Sequence, residues 1–397
     1  APSNEASIDI GESFSIASNI QYAQFTPYSY YLISMPVEYE TNIVDLFASA
    51  NQYGNLNYFY EQNNIVNLNN LTNDSNAPAF GRGYVLRTQY NTDSNYSFNY
   101  AGNVLSDYQM PIEYAYDEAT GNDGWNLIPY PLVSSMNLKD IFVYNGNNGE
   151  TLSWKAASDQ GLIASTIIGF DSNQSMFIPC QELQPFRSYW LQSFSDNLEI
   201  VFNPNLSGPA LNDEESWTFD LFINNQGVSN KTIFGDFITI GLNDDIDSKN
   251  INAGEDDYSL SSGKRFEEIA LANQVNLLMD IDNNGVNYHK EIKYLRNSES
   301  IDWNVNIKLE NMCSDCGELT FSWNQNQVDS LMEKTSNIAT LNGWPEDTFS
   351  EFSLQFINYL GDNVEQINLL DEQWDNCTTC SYLINSNENN YGDGSQD

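Results

Sequence analysis

From residue 217 onward the chain alternates apolar and polar positions with period two. Trp217, Phe219, Leu221 and Ile223 form one such row, and Trp303, Val305, Ile307 and Leu309 form another. Leu319, Phe321 and Trp323 repeat it, as do Phe352, Leu354 and Phe356. Successive side chains of a strand point to opposite faces, so the pattern predicts half-buried strands of antiparallel sheets. Several such strands between Gly-, Asn- and Asp-rich turns predict a β-sandwich. Gln325 to Ile338 is the one stretch that reads as a helix, placed between strands. Ahead of this region, Ser207-Gly208-Pro209 and Asn212-Asp213-Glu214-Glu215 mark a linker.

The N-terminal half carries a different regularity. Gly124-Trp125-Asn126-Leu127-Ile128-Pro129-Tyr130-Pro131 has an earlier echo in Tyr31-Leu32-Ile33-Ser34-Met35-Pro36-Val37. An Asp-aliphatic-Phe triplet follows each proline, Asp45-Leu46-Phe47 and Asp140-Ile141-Phe142. Each copy then carries Arg-small-Tyr-apolar-Leu, at Arg82 to Leu86 and Arg187 to Leu191. Three anchors in one order indicate an internal duplication. Each copy reads as an opening strand, a turn at its proline, a short helical or 3-10 turn at the triplet, and a return through the Arg-x-Tyr-x-Leu strand. The closing strands fall at Tyr96–Tyr100 and Leu198–Phe202. The fold expected is therefore all-β: tandem antiparallel β-sandwich domains, the first two related by internal duplication. Residues 1–27 hold leading strands, 28–107 and 108–209 the two repeats, and 210–397 the C-terminal sandwich.

Composition narrows the function. In 397 residues, 41% hydrophobic content is ample for packed cores, and the 13% aromatic share suits sheets. No apolar run approaches the ~18 residues of a membrane-spanning helix. The formal charge is −41, and Arg82 is the first basic residue. Nucleic-acid binding needs a basic footprint, and an anionic bilayer would repel this surface. Such a surface instead invites screening by salt or bridging by divalent cations. The opening Ala1-Pro2-Ser3 reads as a processed mature end or as a cut within a longer chain.

Several motifs carry candidate chemistry. Asp280, Asp282, Asn284 and Glu291 fit the EF-hand spacing D-x-[DN]-x-[DN]-G-x5-E, a set of hard oxygen ligands for calcium. Asn287 stands where that pattern has an aliphatic residue, and strand-like flanks offer the other reading, a hairpin turning at Asp282-Asn283-Asn284-Gly285. Asp244, Asp245 and Asp247 make a second oxygen-rich loop, with calcium or plain solvation as its readings. Cys313-x-x-Cys316 and Cys377-x-x-Cys380 are expected to be disulfides, with a four-thiolate zinc site and a redox pair as alternatives. Cys180 is left over as a buried thiol. His289, the single histidine, lies beside the Asp280 turn and makes a Ser-His-Asp triad improbable. With 55 acids, no carboxylate pair stands out for glycoside hydrolysis. Arg82 and Arg187 occupy matching repeat positions and are expected to pair with Asp45 and Asp140. Trp125, Trp154 and Trp190 suit core packing or, in the second reading, a sugar-stacking platform.

The two repeats resemble a module of large secreted Bacteroidota proteins that reads Gly-Trp-Asn-Leu-Ile-x-x-Pro, followed by a Gly-Tyr-Trp-Val-type strand. Gly124 to Pro131 and Arg187 to Leu191 carry the match, and Tyr31 to Val37 with Arg82 to Leu86 carry a weaker one. Trp217 to Leu221, Asp244 to Asp247, Trp303 and Leu319 to Trp323 resemble the companion β-sandwich of those proteins. The resemblance implies type IX secretion cargo exported to the outer surface. Such cargo normally ends in a sorting domain, whose opening pattern is absent after Leu383, so removal at the surface or a longer parent chain is implied. The function expected is a non-catalytic structural protein of a cell-surface layer, fibre or adhesin. Its partners would be other copies of itself or other surface proteins. The alternative is a glycan-binding module of a polysaccharide-degrading system.

Overall fold

The computed structural model describes residues 30–34, 37–38, 54–60, 64–67, 81–88, 103–113, 115–117, 122–172, 174–209, 211, 216–225, 233–243, 257–258, 273–278, 288–294, 300–310, 318–345, 351–357, 363–375 and 377–385. These are mostly β-strands in antiparallel sheets. Asp45, the expected strand Tyr96–Tyr100, Asp244, Asp245, Asp247, Asp280, Asp282, Asn284, Cys313, Cys316 and the leading strands of residues 1–27 lie outside the described residues.

Two four-stranded sheets in the N-terminal half share one plan. In the first, Tyr30–Ile33 pairs with Tyr84–Thr88, then come Gly54–Tyr60 and Asn64–Asn67. In the second, Trp125–Pro129 pairs with Ser188–Gln192, then come Ile167–Asp171 and Met176–Cys180. Opening strand, last strand, second strand, third strand is the order in both. The register agrees as well. Leu32 faces Val85 and Ile33 faces Tyr84, while Leu127 faces Trp190 and Ile128 faces Tyr189. The two stretches with similar sequence thus pair in the same register.

The second module adds an outer sheet of Glu150–Ser153, Phe142–Asn145, Leu198–Phe202 and Tyr108–Pro111. Its Met110, Val143, Leu198, Ile200 and Phe202 share a core with Ile128, Ile167, Tyr189 and Leu191 of the inner sheet. A 3-10 turn, Leu138–Asp140, enters the outer sheet. A short helix, Trp154–Asp159, is capped by Ser153, whose side chain accepts from the Ala156 amide. The inner sheet is buried on both faces, so Trp125–Pro129 is buried at every position. Its run of apolar residues is what a doubly covered strand requires.

The C-terminal region holds two sheets. Asp257–Tyr258, Tyr288–Tyr294, Asp236–Asn243, Ser216–Asn225, Glu318–Asn324 and Thr379–Asn385 form one, in that order. Ile233–Phe234, Asn273–Leu278, Ser300–Glu310, Glu351–Ile357 and Asn363–Asn368 form the other. Phe219, Leu221, Ile223, Ile238 and Ile240 from the first meet Trp303, Val305, Ile307, Phe352 and Leu354 from the second in one core. The helix Gln325–Leu341 lays Val328, Leu331 and Ala339 into the same core. Three pairings here are parallel, among them Asp236–Asn243 with Tyr288–Tyr294 and Ser300–Glu310 with Glu351–Ile357. Parallel neighbours need crossovers. Strand Glu318–Asn324 and the helix supply the crossover from Ser300–Glu310 to Glu351–Ile357, leaving one sheet and returning.

All three modules meet in one apolar cluster. Leu32 and Val85 come from the first, Trp125, Leu127, Ile168, Phe170, Phe177 and Trp190 from the second, and Phe237 from the third, with Phe222 packed against it. Burying a large apolar side chain is worth about 1.5–3 kcal/mol, so this cluster holds the modules together.

Candidate functional site

Two seams between modules hold the polar chemistry. At the first seam, Ser34 donates its hydroxyl to the Arg187 carbonyl at 2.5 Å and accepts from the Tyr130 amide at 3.1 Å. The Ser34 amide donates to the Phe186 carbonyl at 3.0 Å. Gly83 allows this approach, because a Cβ there would lie 2.7 Å from Leu127 Cγ and 2.9 Å from Ser188 Cβ. Beside the seam lies a cleft of about 140 Å³, lined by Arg82, Tyr108, Glu113, Asn126 and Pro129 among others. It offers one guanidinium, one carboxylate and a side-chain amide, and Asn126 Oδ1 already accepts from the Glu113 amide at 3.2 Å.

At the second seam, the C-terminal module turns the outward face of Ser216–Asn225 and Asp236–Asn243 toward the second module. Gly235 is the pivot: its amide donates to the Ser175 carbonyl at 2.9 Å and its carbonyl accepts from the Phe177 amide at 3.2 Å. Thr239 lies opposite Asp220 in one register and opposite Lys290 in the next, which sets three polar side chains in a row. Thr239 donates to Asp220 Oδ1 at 2.6 Å. Lys290 Nζ donates across the seam to Ser165 Oγ at 2.6 Å. Burial raises the Asp220 carboxyl above the usual carboxylate range, against the opposing pull of the Thr239 hydroxyl and the Lys290 charge.

The remaining candidate residues distribute as follows. The expected ion pair between Asp140 and Arg187 does not form. Asp140 ends the turn into the outer sheet and accepts from Ser207 Oγ at 2.8 Å. Arg187 leads into the inner sheet, where its Nη1 donates to the Phe170 carbonyl at 3.4 Å. The two side chains thus serve opposite layers of the module. Ser207 and Gly208 are correspondingly not a free linker: a Cβ on Gly208 would lie 2.1 Å from the Lys139 carbonyl oxygen. Arg82 lines the cleft described above.

The Asp280 loop itself lies outside the described residues, and its flanks bear on the EF-hand and hairpin readings alone. An EF-hand requires helical flanks, and both flanks are strands, Asn273–Leu278 and Tyr288–Tyr294. They do not pair as a hairpin either, because the first belongs to the five-stranded sheet and the second to the six-stranded one. Glu291 stands within a strand, opposite Ile240, and His289 lies in that same strand rather than in a turn.

Cys377 and Cys380 are bonded to each other. Beside them, Gln325 accepts from Trp323 Nε1 at 2.7 Å and donates to the Leu369 carbonyl at 3.2 Å, and Trp374 packs edge-on against Trp323. Together these close the core where the helix begins. Tyr382 donates to the Glu365 carboxylate, linking the last strands of the two sheets. Burial and that carboxylate push the Tyr382 hydroxyl up to about 12. Burial likewise pushes the Cys180 thiol up to about 12, although Arg187 and the Gly169 amide oppose the shift.

The residues that sequence reasoning missed are Ser165, Asp220, Thr239 and Lys290. A signal existed in Phe222 and Phe237. Each is an aromatic at a position that should be polar in an alternating strand, which marks a second covered face. No protein-family model, curated protein or solved structure matches the chain.

Proposed function

We propose that this chain is a non-catalytic structural protein of the cell surface, a brick of a layer, fibre or adhesin that works by self-association. The observation that carries this reading is the apolar cluster shared by all three modules, which makes one stiff block of them. Aromatic side chains are spent on cores: Trp125, Trp154, Trp190, Trp303 and Trp323 are each less than 2% exposed. That use favours the structural reading over glycan stacking, which needs aromatic faces in contact with solvent. We read the block as tandem β-sandwiches, the first two copied from one ancestor, since order and register agree between them. Export to the outer surface by type IX secretion follows from the resemblance noted above, and the Cys377–Cys380 bond fits an oxidising compartment.

Self-association has a physical basis in the sheet ends. Thr379–Asn385 and Asn363–Asn368 terminate the order of their sheets, and terminal strands are templates for pairing with another chain. The charge of −41 opposes assembly, so calcium or another divalent cation is expected to bridge the copies. Sedimentation of the purified chain across calcium and salt concentrations tests this. Growth of large species with calcium is expected, whereas monomers under every condition would refute the proposal.

A further inference from the structure

We propose that Asp220, Lys290 and Ser165 form a latch whose charge state sets how firmly the C-terminal module docks on the second module. The geometry comes first. Strands Ser216–Asn225, Asp236–Asn243 and Tyr288–Tyr294 are neighbours in one sheet, and their registers place Asp220, Thr239 and Lys290 in a single row. The row lies on the face away from the C-terminal core, because Phe219 and Leu221 on one side and Ile238 and Ile240 on the other belong to that core. Only the Lys290 ammonium reaches over to the second module within this row, to Ser165 at 2.6 Å.

The chemistry is a competition for one cation. When Asp220 is protonated, it accepts from Thr239 as a neutral group, and Lys290 is committed to Ser165. When Asp220 ionises, its carboxylate attracts the same ammonium and draws it away from Ser165. The other charged groups around it are placed differently. Asp236, in the strand of Thr239, lies opposite Ile223 in the core row. Asp257 stands opposite Lys290 in the edge strand. The strand on the other side sets Ser322 opposite Phe222. The second module contributes Ser165, Met176, Phe170 and Phe177 to this seam.

The sign follows from the raised carboxyl. A docked Asp220 holds its proton more tightly than an exposed aspartate, which titrates near ~3.9. The contribution to docking is therefore full below about pH 4 and is lost as pH rises through the docked value. The amides of Gly235 and Phe177 report on the seam directly, since each bonds across it. Their hydrogen-exchange protection, corrected for intrinsic rates, is to be followed from acid to neutral pH in the whole chain. Protection is expected to fall as pH rises in the native sequence and to be flat in Asp220→Asn. Lys290→Met and Ser165→Ala are expected to lower protection roughly 10-fold at acid pH, the scale of one hydrogen bond to a charged group. Should Asp220→Asn fail to fold, Asp220→Ser, which also removes the carboxyl, is expected to give the same flat profile. A native profile without pH dependence, or an Asp220→Asn or Asp220→Ser profile that keeps the native slope, would overturn the latch.

Discussion

Gly235 is the position where a small branched side chain should separate two modules. A Cβ there would sit 2.3 Å from the Ile223 carbonyl oxygen and 3.1 Å from Met176 Cγ. The first contact is with backbone inside a strand, so no rotamer change relieves it, and the Gly235 segment must move. Forced displacement in a packed site costs about 1–3 kcal/mol. The same movement strains the two hydrogen bonds that Gly235 makes to Ser175 and Phe177, each worth about 0.5–1.5 kcal/mol. Gly235→Val should therefore weaken the seam by about 2–6 kcal/mol while leaving both flanking cores intact. Calorimetry of the native chain is expected to show the second and C-terminal modules melting together, and the variant is expected to split that transition in two. Gly343→Ala is the control. Gly343 has φ +67° with nothing within 4 Å of an added Cβ, so the change costs about 1 kcal/mol of backbone strain at the helix end and leaves the seam alone. An unchanged single transition in Gly235→Val, or an equal split in Gly343→Ala, would refute the reasoning.

Further predictions follow from other sites. Ser34→Ala removes the hydroxyl that donates to the Arg187 carbonyl and should cost about 1–3 kcal/mol by urea denaturation, while the Tyr130 amide keeps its protection through its own bond to that carbonyl. Cys180 should stay unreactive toward a thiol reagent at pH 8 in the folded chain, because a thiol pushed up to about 12 is protonated there, and should label promptly once unfolded. Reduction of Cys377–Cys380 should cost about 2 kcal/mol or less, because the bond closes only a short loop. Gln325→Leu should cost about 2–4 kcal/mol by the same denaturation, since it strands the indole donor of Trp323 inside the core.

How much of this was legible depended on whether the deciding contact was local. The alternating rows at Phe219, Trp303, Phe321 and Phe352 each became a strand with those residues inward. The helix after Trp323 was marked by the loss of that alternation, and it begins at Gln325 as expected. The turn near Asp140 lies two residues earlier than the triplet suggested, because Ile141 already has extended backbone. Leu32 and Leu127 fall at equivalent register positions, and a slip of one residue would turn Leu127 and Trp190 to the wrong face.

What could not be read was set at long range. Asp282-Asn283-Asn284-Gly285 has hairpin chemistry, yet its flanking strands find partners elsewhere. Asn273–Leu278 is claimed by Ser300–Glu310, and Tyr288–Tyr294 by Asp236–Asn243. The spacing of Asp140 and Arg187 gave no indication that they serve different layers. The Asp220 latch was hidden because an acid on the polar face of a strand normally meets water. Only the second module, packed over that face, changes its chemistry.

The central claim is that these modules act as one brick that joins others of its kind. Negative-stain electron images of the native material, with calcium added and then chelated, test it most directly. Ordered filaments or sheets that dissolve on chelation are predicted, and dispersed single particles in both states would contradict it.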